Sequence, residues 1–245
     1  MSVVAERFTF TQWLPPWVRH QHVTRYSWAG QFVANLRIAD AACGAGYGSE
    51  MLLREGRAAQ VEGFDLSTDA VENARQQYAA NEQLRFEVAD VTRLPVADGA
   101  YDVCVSFETI EHVPNDVGVI AEAARILKPE GKFICSTPNR DLFDPGTTLV
   151  DKPINPFHVR QYDFVEFEGL LRTQFRTIEW YGQTFHDSAY RRFLCGVGRK
   201  LPTAAIRMHQ AKKVLTVPFD SPKRHTPHAL RDRFDPEIFI AVCTK

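Results

Sequence analysis

The stretch that decides the fold is DAACGAGYGS, Asp40 to Ser49, which overlaps the end of the predicted first strand RIADAA (37–42). Its glycines, Gly44, Gly46 and Gly48, leave the backbone open to close approach by a ligand. In an open α/β sheet, ligands bind at this kind of position, outside the carboxyl end of a strand. The stretch therefore predicts a ligand-binding turn.

Strand-like and helix-like segments alternate on both sides of this turn. The other predicted strands are AQVEGFDLS, LRFEVADV, YDVCVSFE, KFICSTP, FRTIEWYGQ and PEIFIAVCT. Predicted helices lie between them, and the helix NDVGVIAEAARILKPEG is expected to end at Pro129 and Gly131. The alternation predicts an α/β fold with a mostly parallel sheet, whose last strand joins as an antiparallel edge.

Four segments follow from this pattern. Residues 1–36 are predicted to be a helical lead-in, 37–185 the α/β domain, 186–234 an insertion and 235–245 the final edge strand. The insertion holds eleven Lys/Arg against three acidic residues, although the whole chain has a net charge of −1. This basic charge predicts either a solvated helical face or a surface for a phosphate-bearing substrate.

The composition is that of an ordinary globular domain, with 245 residues, 44% apolar and 24% charged. The near-zero net charge argues against a nucleic-acid binder, and the absence of a long apolar run argues against membrane insertion. MSVVAERFTFTQW lacks the apolar core of a signal peptide, and the five cysteines include no C-x-x-C pair. We therefore expect a cytoplasmic protein.

The spacing of the glycines limits the classes of ligand that the turn can bind. It is G-x-G-x-G, neither the G-x-G-x-x-G of dinucleotide sites nor a loop ending in G-K-[ST]. Asp65, 25 residues after Asp40, ends the second strand and can accept from both hydroxyls of a ribose. Asp90 ends the third strand and can accept from an adenine amino group. One such aspartate often caps a turn, but together the three predict a nucleoside site without a phosphate partner.

Four stretches, IADAACGAGYG, VEGFDLS, VADVTRLPVADGAYDVCVSFETIEHV and ILKPEGKFICSTPN, resemble class I S-adenosylmethionine-dependent methyltransferases. The resemblance covers roughly residues 20–185 and the last strand. It implies a Rossmann-like, seven-stranded sheet with helices on both faces, and S-adenosyl-L-methionine (SAM) as cofactor. The cofactor-binding residues that it implies are Asp40, Gly44 and Gly46 at the methionine part, Asp65 and Leu66 at the ribose end, Asp90 and Val91 at the adenine, and Phe107 beside the methionine part.

Two positions depart from the pattern. Ala42 and Glu130 stand where many members have glycine, and Ala42 predicts an ordinary negative φ at its position. Arg25 and Tyr26, in the lead-in, are candidates for the cofactor's carboxylate, with surface and core roles as the alternatives.

Methyl transfer is an in-line displacement, so positioning does much of the work, and a hydroxyl acceptor benefits from a base. FETIEHV offers Glu108, Glu111 and His112, and NPFHVRQYDF offers His158. His158 and His112 are the catalytic candidates, because imidazole titrates near neutrality; the alternative is structural loop histidines. Glu111 is interpreted as a carboxylate at a helix start. No H-E-x-x-H or paired C-x-x-C spacing is present, so no metal site is predicted.

The sequence favours methyl transfer to a small-molecule hydroxyl, on a sugar, glycan precursor or natural product, because NPFHVRQY resembles a stretch of methyltransferases that modify such compounds. An amine acceptor such as an amino sugar, and a SAM-binding protein without catalysis, are the alternatives. FETI in place of N-P-P-[YF] argues against base methylation, and the lack of Y-x-x-x-K argues against a short-chain oxidoreductase. The oligomeric state stays open, a homodimer included.

Overall fold

The computed structural model describes residues 16–185, 222–225 and 236–245. The strands are β1 Arg37–Ala41, β2 Gln60–Asp65, β3 Leu84–Val88, β4 Tyr101–Phe107, β5 Leu127–Pro138, β6 Thr177–Phe185, β7 Lys223–His225 and β8 Pro236–Thr244. The helices are α1 Pro16–Ala29, α2 Tyr47–Arg54, α3 Thr68–Gln77, α4 Asp116–Ile126, α5 Arg140–Phe143 and α6 Phe164–Leu171. Short 3-10 turns lie at Gly30–Phe32 and Ile110–His112.

The strands form one mixed sheet in the order β3-β2-β1-β4-β5-β8-β6-β7. β1 to β5 run parallel, whereas β8 pairs antiparallel with both β5 and β6. This confirms the predicted mostly parallel sheet of seven main strands with an antiparallel last strand. The three-residue β7, which pairs with β6, adds a short strand at one edge.

The prediction that the last strand is an edge strand is wrong. β8 lies between β5 and β6, and the first eight of its nine residues are buried. Its alternate side chains pack into the cores on the two faces of the sheet, Ile240 and Val242 on one and Phe239 and Ala241 on the other. A strand that is apolar on both faces is stable only with cover on both sides, which an interior position provides.

Helices cover both faces of the sheet. Residues of α1, α2 and α3, among them Leu52 and Val71, pack into one core, and residues of α4 and α6, among them Ile120 and Phe167, pack into the other. The strands alternate between these cores, as Ile38 and Ala39 of β1 do. The arrangement is a three-layer, Rossmann-like α/β fold.

The helix predicted to reach Gly131 is shorter than expected. α4 ends at Ile126, and Leu127 has an extended ψ of 139° that begins β5. Lys128 precedes Pro129, whose ring disfavours helical backbone at the residue before it. Glu130 then adopts a left-handed φ of 62°, at the position where the resemblance would place glycine.

The predicted basic insertion, residues 186–234, lies outside the described residues except for 222–225, as do residues 1–15 of the lead-in. Residues 16–36 contain α1 and a 3-10 turn, in agreement with a helical lead-in. Among the helices of the described part, none combines the length and the apolar character that crossing a bilayer requires.

Candidate functional site

The predicted site residues gather at one edge of the sheet. Because β1 to β4 are parallel, their carboxyl ends lie side by side, and the segments that follow them face the same crevice. This edge carries the glycine turn after β1, Asp65 at the end of β2, Leu66 next to it, Asp90 after β3, and Phe107 at the end of β4.

The turn after β1 has three left-handed residues within five positions. Their φ angles are 65° at Ala42, 55° at Gly44 and 77° at Gly46. The predicted negative φ of Ala42 is therefore wrong. Two hydrogen bonds fix the turn, from the Cys43 amide to the carbonyl of Phe64 at 3.0 Å and from the Gly44 amide to Asp65 Oδ2 at 2.9 Å. A left-handed alanine costs roughly 1–2 kcal/mol, which these contacts offset.

Packing requires glycine both at the end of the turn and in the first turn of α2. A Cβ atom on Gly48 would lie 2.2 Å from the ring of Tyr26, closer than any real contact. A Cβ atom on Gly46 would lie 2.7 Å from the ring of Phe86. These glycines therefore let α2 begin directly beneath the turn, with α1 pressed against it.

Asp40 is fully buried at the end of β1. Its carboxylate accepts hydrogen bonds from Ser49 Oγ at 2.7 Å and from the Tyr26 hydroxyl at 3.0 Å. Burial raises the pKa of Asp40 to about 6, and the nearby charge of Asp65 acts in the same direction, whereas the two hydrogen bonds oppose the shift. Asp40 therefore stabilises the turn by linking the end of β1 to α1 and α2.

The two remaining aspartates differ in exposure. Asp65 is buried, and its oxygens accept from the amides of Gly44 and Ser67 at 2.9 and 2.8 Å. Asp90 is exposed, and its Oδ1 accepts from both the amide and the hydroxyl of Thr92 at 2.8 Å. Leu66, the residue after Asp65, leaves 66% of its surface exposed. Asp90 and Leu66 thus face solvent, whereas Asp65 is held against the backbone of the turn.

The residues predicted from the lead-in segment face the strand ends. Arg25 is buried, forms an ion pair of 2.7 Å with Glu108 and donates to Ser136 Oγ at 3.1 Å. Its guanidinium lies 5.9 Å from the ring centre of Phe107. The ring of Tyr26 packs edge-on against Phe107 at 5.1 Å. Both residues of the lead-in therefore form one wall of the site.

A second polar group lies beyond the end of β4. Glu111 is fully buried in a 3-10 turn rather than at a helix start, and its Oε2 accepts from the Thr137 hydroxyl at 3.1 Å. His112 and His158 are half-buried, with ring centres 4.8 Å apart in an edge-to-face arrangement. The structure thus brings the two predicted catalytic histidines together, although they are far apart in the chain.

The charges of this group are shaped by burial. Desolvation raises the pKa of Glu111, and the neighbouring Glu108 raises it further. Desolvation, followed by the charge of His112, lowers the pKa of His158 to about 3. At neutral pH the imidazole of His158 is therefore uncharged.

A network of backbone and side-chain contacts holds the loop that carries His158. The amide of Val159 donates to the carbonyl of Glu111 at 2.8 Å. Arg160 and the Tyr162 hydroxyl both bind Asp116 Oδ2, at 2.5 and 2.8 Å. Asp116 was missed in the sequence analysis. Its place at the start of a predicted helix was visible in the sequence, but no spacing indicated that Arg160 and Tyr162 would bind it.

Comparison with known proteins shows that the part of the chain that forms this edge is similar to methyltransferases. Residues 39–135 match a family described as a methyltransferase domain. A Mycolicibacterium smegmatis protein named "Probable S-adenosylmethionine-dependent methyltransferase" is 33% identical over 172 residues, which cover 70% of this chain and 63% of that protein. A ubiquinone biosynthesis O-methyltransferase of Xanthomonas oryzae pv. oryzae is 37% identical over 110 residues, covering 44% of this chain and 45% of that enzyme. The chain thus spans about half to three-fifths of the length of these relatives.

Solved structures agree on the fold. A SAM-dependent methyltransferase of Thermotoga maritima superposes with a TM-score of 0.60 at 16% identity, over 94% of this chain and 93% of that one. At this identity the likeness concerns the fold alone.

Proposed function

We propose that the chain contains a class I, Rossmann-like methyltransferase domain, which binds SAM and transfers its methyl group to a hydroxyl of a small molecule. The observation that carries the proposal is the turn of left-handed residues that ends in Gly46, with Asp65 and Asp90 at the adjoining strand ends. We place the acceptor among sugars, glycan precursors and natural products, and the protein in the cytoplasm.

The described residues fit SAM on grounds of shape and charge. Gly44 and Gly46 offer backbone without side chains, which a ligand can approach closely. Asp65 and Asp90 offer acceptors for ribose hydroxyls and an adenine amino group. The turn from Asp40 to Ser49 contains no lysine that could bind a phosphate. The exposed Leu66 offers an apolar contact for the adenosine.

The cofactor supplies an electrophilic methyl group, so the residues of this chain have to bind, align and deprotonate the acceptor. Phe107 and Tyr26 form the apolar wall next to Arg25 and Glu108. The paired imidazoles of His112 and His158, beyond the end of β4, are our candidates for positioning the acceptor's hydroxyl and assisting its deprotonation.

A hydroxyl acceptor is favoured over an amine by the O-methyltransferases among the relatives. An amine such as an amino sugar is the second candidate, because a free amine that arrives unprotonated can attack the methyl group without a base. A SAM-binding protein without catalysis is the third.

The test measures binding and turnover separately. SAM and NAD are titrated calorimetrically into the full chain, and S-adenosylhomocysteine release is then followed over sugars, nucleotide-linked sugars, amines and phenols. We expect SAM to bind, NAD not to bind, and product to appear with a hydroxyl acceptor. Product with amines alone would favour the second candidate, binding without product the third, and NAD binding without SAM binding would contradict the proposal.

A further inference from the structure

The group beyond the end of β4 has the composition of a metal site. Glu111, His112 and His158 each offer one ligand atom, and these atoms all lie within 4.8 Å of one another. We propose that these three side chains bind a divalent first-row transition-metal ion, and that this ion holds the hydroxyl of the methyl acceptor. The second half rests on the proposed function, whereas the first stands on the geometry alone.

Glu111 supplies the strongest argument. Its side chain is fully buried, Oε2 accepts from Thr137, and Oε1 makes no hydrogen bond to any described residue. A buried carboxylate oxygen without a donor costs free energy, and native structures rarely leave one unsatisfied. A cation in front of Oε1 satisfies this oxygen and supplies the missing positive charge.

The histidines are prepared as ligands by their surroundings. His112 Nδ1 lies 3.0 Å from the carbonyl oxygen of Phe157. A carbonyl only accepts, so Nδ1 carries the proton and Nε2 keeps its lone pair for a metal. A backbone carbonyl on the far nitrogen is the usual partner of a metal-bound histidine, because it fixes the tautomer and the ring orientation.

Gln161 does the same for His158. Its amide lies 2.8 Å from His158 Nδ1, while its own Oε1 is buried and makes no hydrogen bond to a described residue. A half-turn of the Gln161 amide about its last side-chain bond lets Oε1 accept from Nδ1–H. His158 Nε2 then accepts from the Asn155 amide at 2.9 Å, and binding of the ion exchanges this hydrogen bond for a metal–nitrogen bond.

The ligand set selects the ion. Two imidazoles and one carboxylate suit zinc and its first-row neighbours, whereas magnesium and calcium prefer oxygen ligands. Metal–ligand bonds of about 2.0–2.2 Å bring ligand atoms closer together than the 4.8 Å limit, so the side chains close around the ion. Three protein ligands leave a coordination position open for the acceptor oxygen.

The chemistry needs no further reactant. A hydroxyl bound to such an ion loses its proton more readily, as bound water does. The O–H bond breaks and its proton passes to water, the O–C bond forms, and the C–S bond breaks with its electron pair moving to sulfur. No oxidation state changes, and the ion is regenerated when the product leaves.

The first experiment measures metal binding alone. The full chain is stripped with a chelator, dialysed and titrated with Zn²⁺ by calorimetry, and with Co²⁺ by visible absorption. We expect one ion per chain, with affinity at least about tenfold lower in Glu111→Gln and in His158→Ala. His20→Ala, which removes an exposed imidazole from α1, should bind like the wild type. Thermal unfolding without metal checks that each variant folds, and His112→Ala replaces a variant that does not.

The second experiment separates the two proposals. SAM affinity and S-adenosylhomocysteine release are measured with and without Zn²⁺, and we expect the metal to raise the rate while SAM affinity stays constant. A chain that binds neither metal, or folded variants that bind like the wild type, would overturn the site and leave the methyltransferase proposal standing. Metal binding without any change in rate would overturn the role assigned to the ion. Failure to bind SAM would overturn the proposed function alone.

Discussion

The hydroxyl of Tyr26 donates a hydrogen bond of 3.0 Å to Oδ1 of Asp40, and so joins α1 to the carboxyl end of β1. The ring of the same tyrosine fills the space over Gly48 and packs against Phe107. The helix before the sheet is therefore part of the candidate site, because it touches the ends of both β1 and β4.

The buried Asp40 should make stability depend on pH. Its pKa is about 6 in the fold and near 3.8 in the unfolded chain. Between these values the folded state binds more protons, so the free energy of unfolding falls as the pH rises from about 4 to about 6. Asp40→Asn does not titrate and should lose this part of the slope, as urea unfolding at several pH values will measure. The exposed Asp69→Asn is the control, and equal slopes for wild type and Asp40→Asn would contradict the prediction.

Two glycine substitutions should have opposite effects on stability. Gly48→Ala places a Cβ atom 2.2 Å from the Tyr26 ring and should lower the free energy of unfolding by about 1–3 kcal/mol. Gly169→Ala in α6 meets no atom within 4 Å and should raise it by about 0.5–1 kcal/mol, since alanine favours helix. Chemical denaturation of the two variants measures both, and a neutral Gly48→Ala would show that α1 yields to the turn.

Removing Asp65 should weaken SAM binding. Asp65→Ala deletes a buried charged acceptor and should lower the affinity by about 1–3 kcal/mol in calorimetric titration. Glu72→Ala, at an exposed position of α3, should leave the affinity unchanged. Wild-type affinity in a folded Asp65→Ala variant would argue against contact with the ribose.

The ion pairs that anchor the loop carrying His158 should depend on arginine itself. The buried guanidinium of Arg140 binds Asp163 at 2.8 Å and also Glu166, at the start of α6. Lysine cannot reach two carboxylates as a fork, so Arg140→Lys should lower the free energy of unfolding by about 1–3 kcal/mol. Arg172→Lys alters a half-exposed pair with Glu168 and should change it by less than about 0.5 kcal/mol. Equal stabilities of the two variants would contradict this assignment.

Much of the architecture was predictable because its causes are local. Alternating apolar segments indicate the strands and helices, and parallel strands bring Asp65 and Asp90 to one edge whatever their loops do. The interior position of β8 could also have been predicted from the sequence, because PEIFIAVCT is apolar on both faces, a pattern typical of interior strands.

The rest depends on contacts that no spacing encodes. Ala42 is left-handed because the amides of Cys43 and Gly44 donate hydrogen bonds to Phe64 and Asp65 of β2. These acceptors lie some twenty residues further along the chain. The group of Glu111 and His158 forms because the backbone of Val159 pairs with Glu111 across a long irregular connection. Contacts between loops of this kind depend on tertiary packing and cannot be predicted from the periodicity of apolar residues in the sequence.

The place of β8 in the sheet has a consequence for synthesis on the ribosome. β5 and β6 are both translated long before residues 236–244, yet each needs that segment as its neighbour. Until it emerges, a nascent chain displays a pair of unpaired strand edges, which are prone to aggregate. The sheet therefore becomes continuous only after residues 236–244 have been translated and have paired with β5 on one side and β6 on the other.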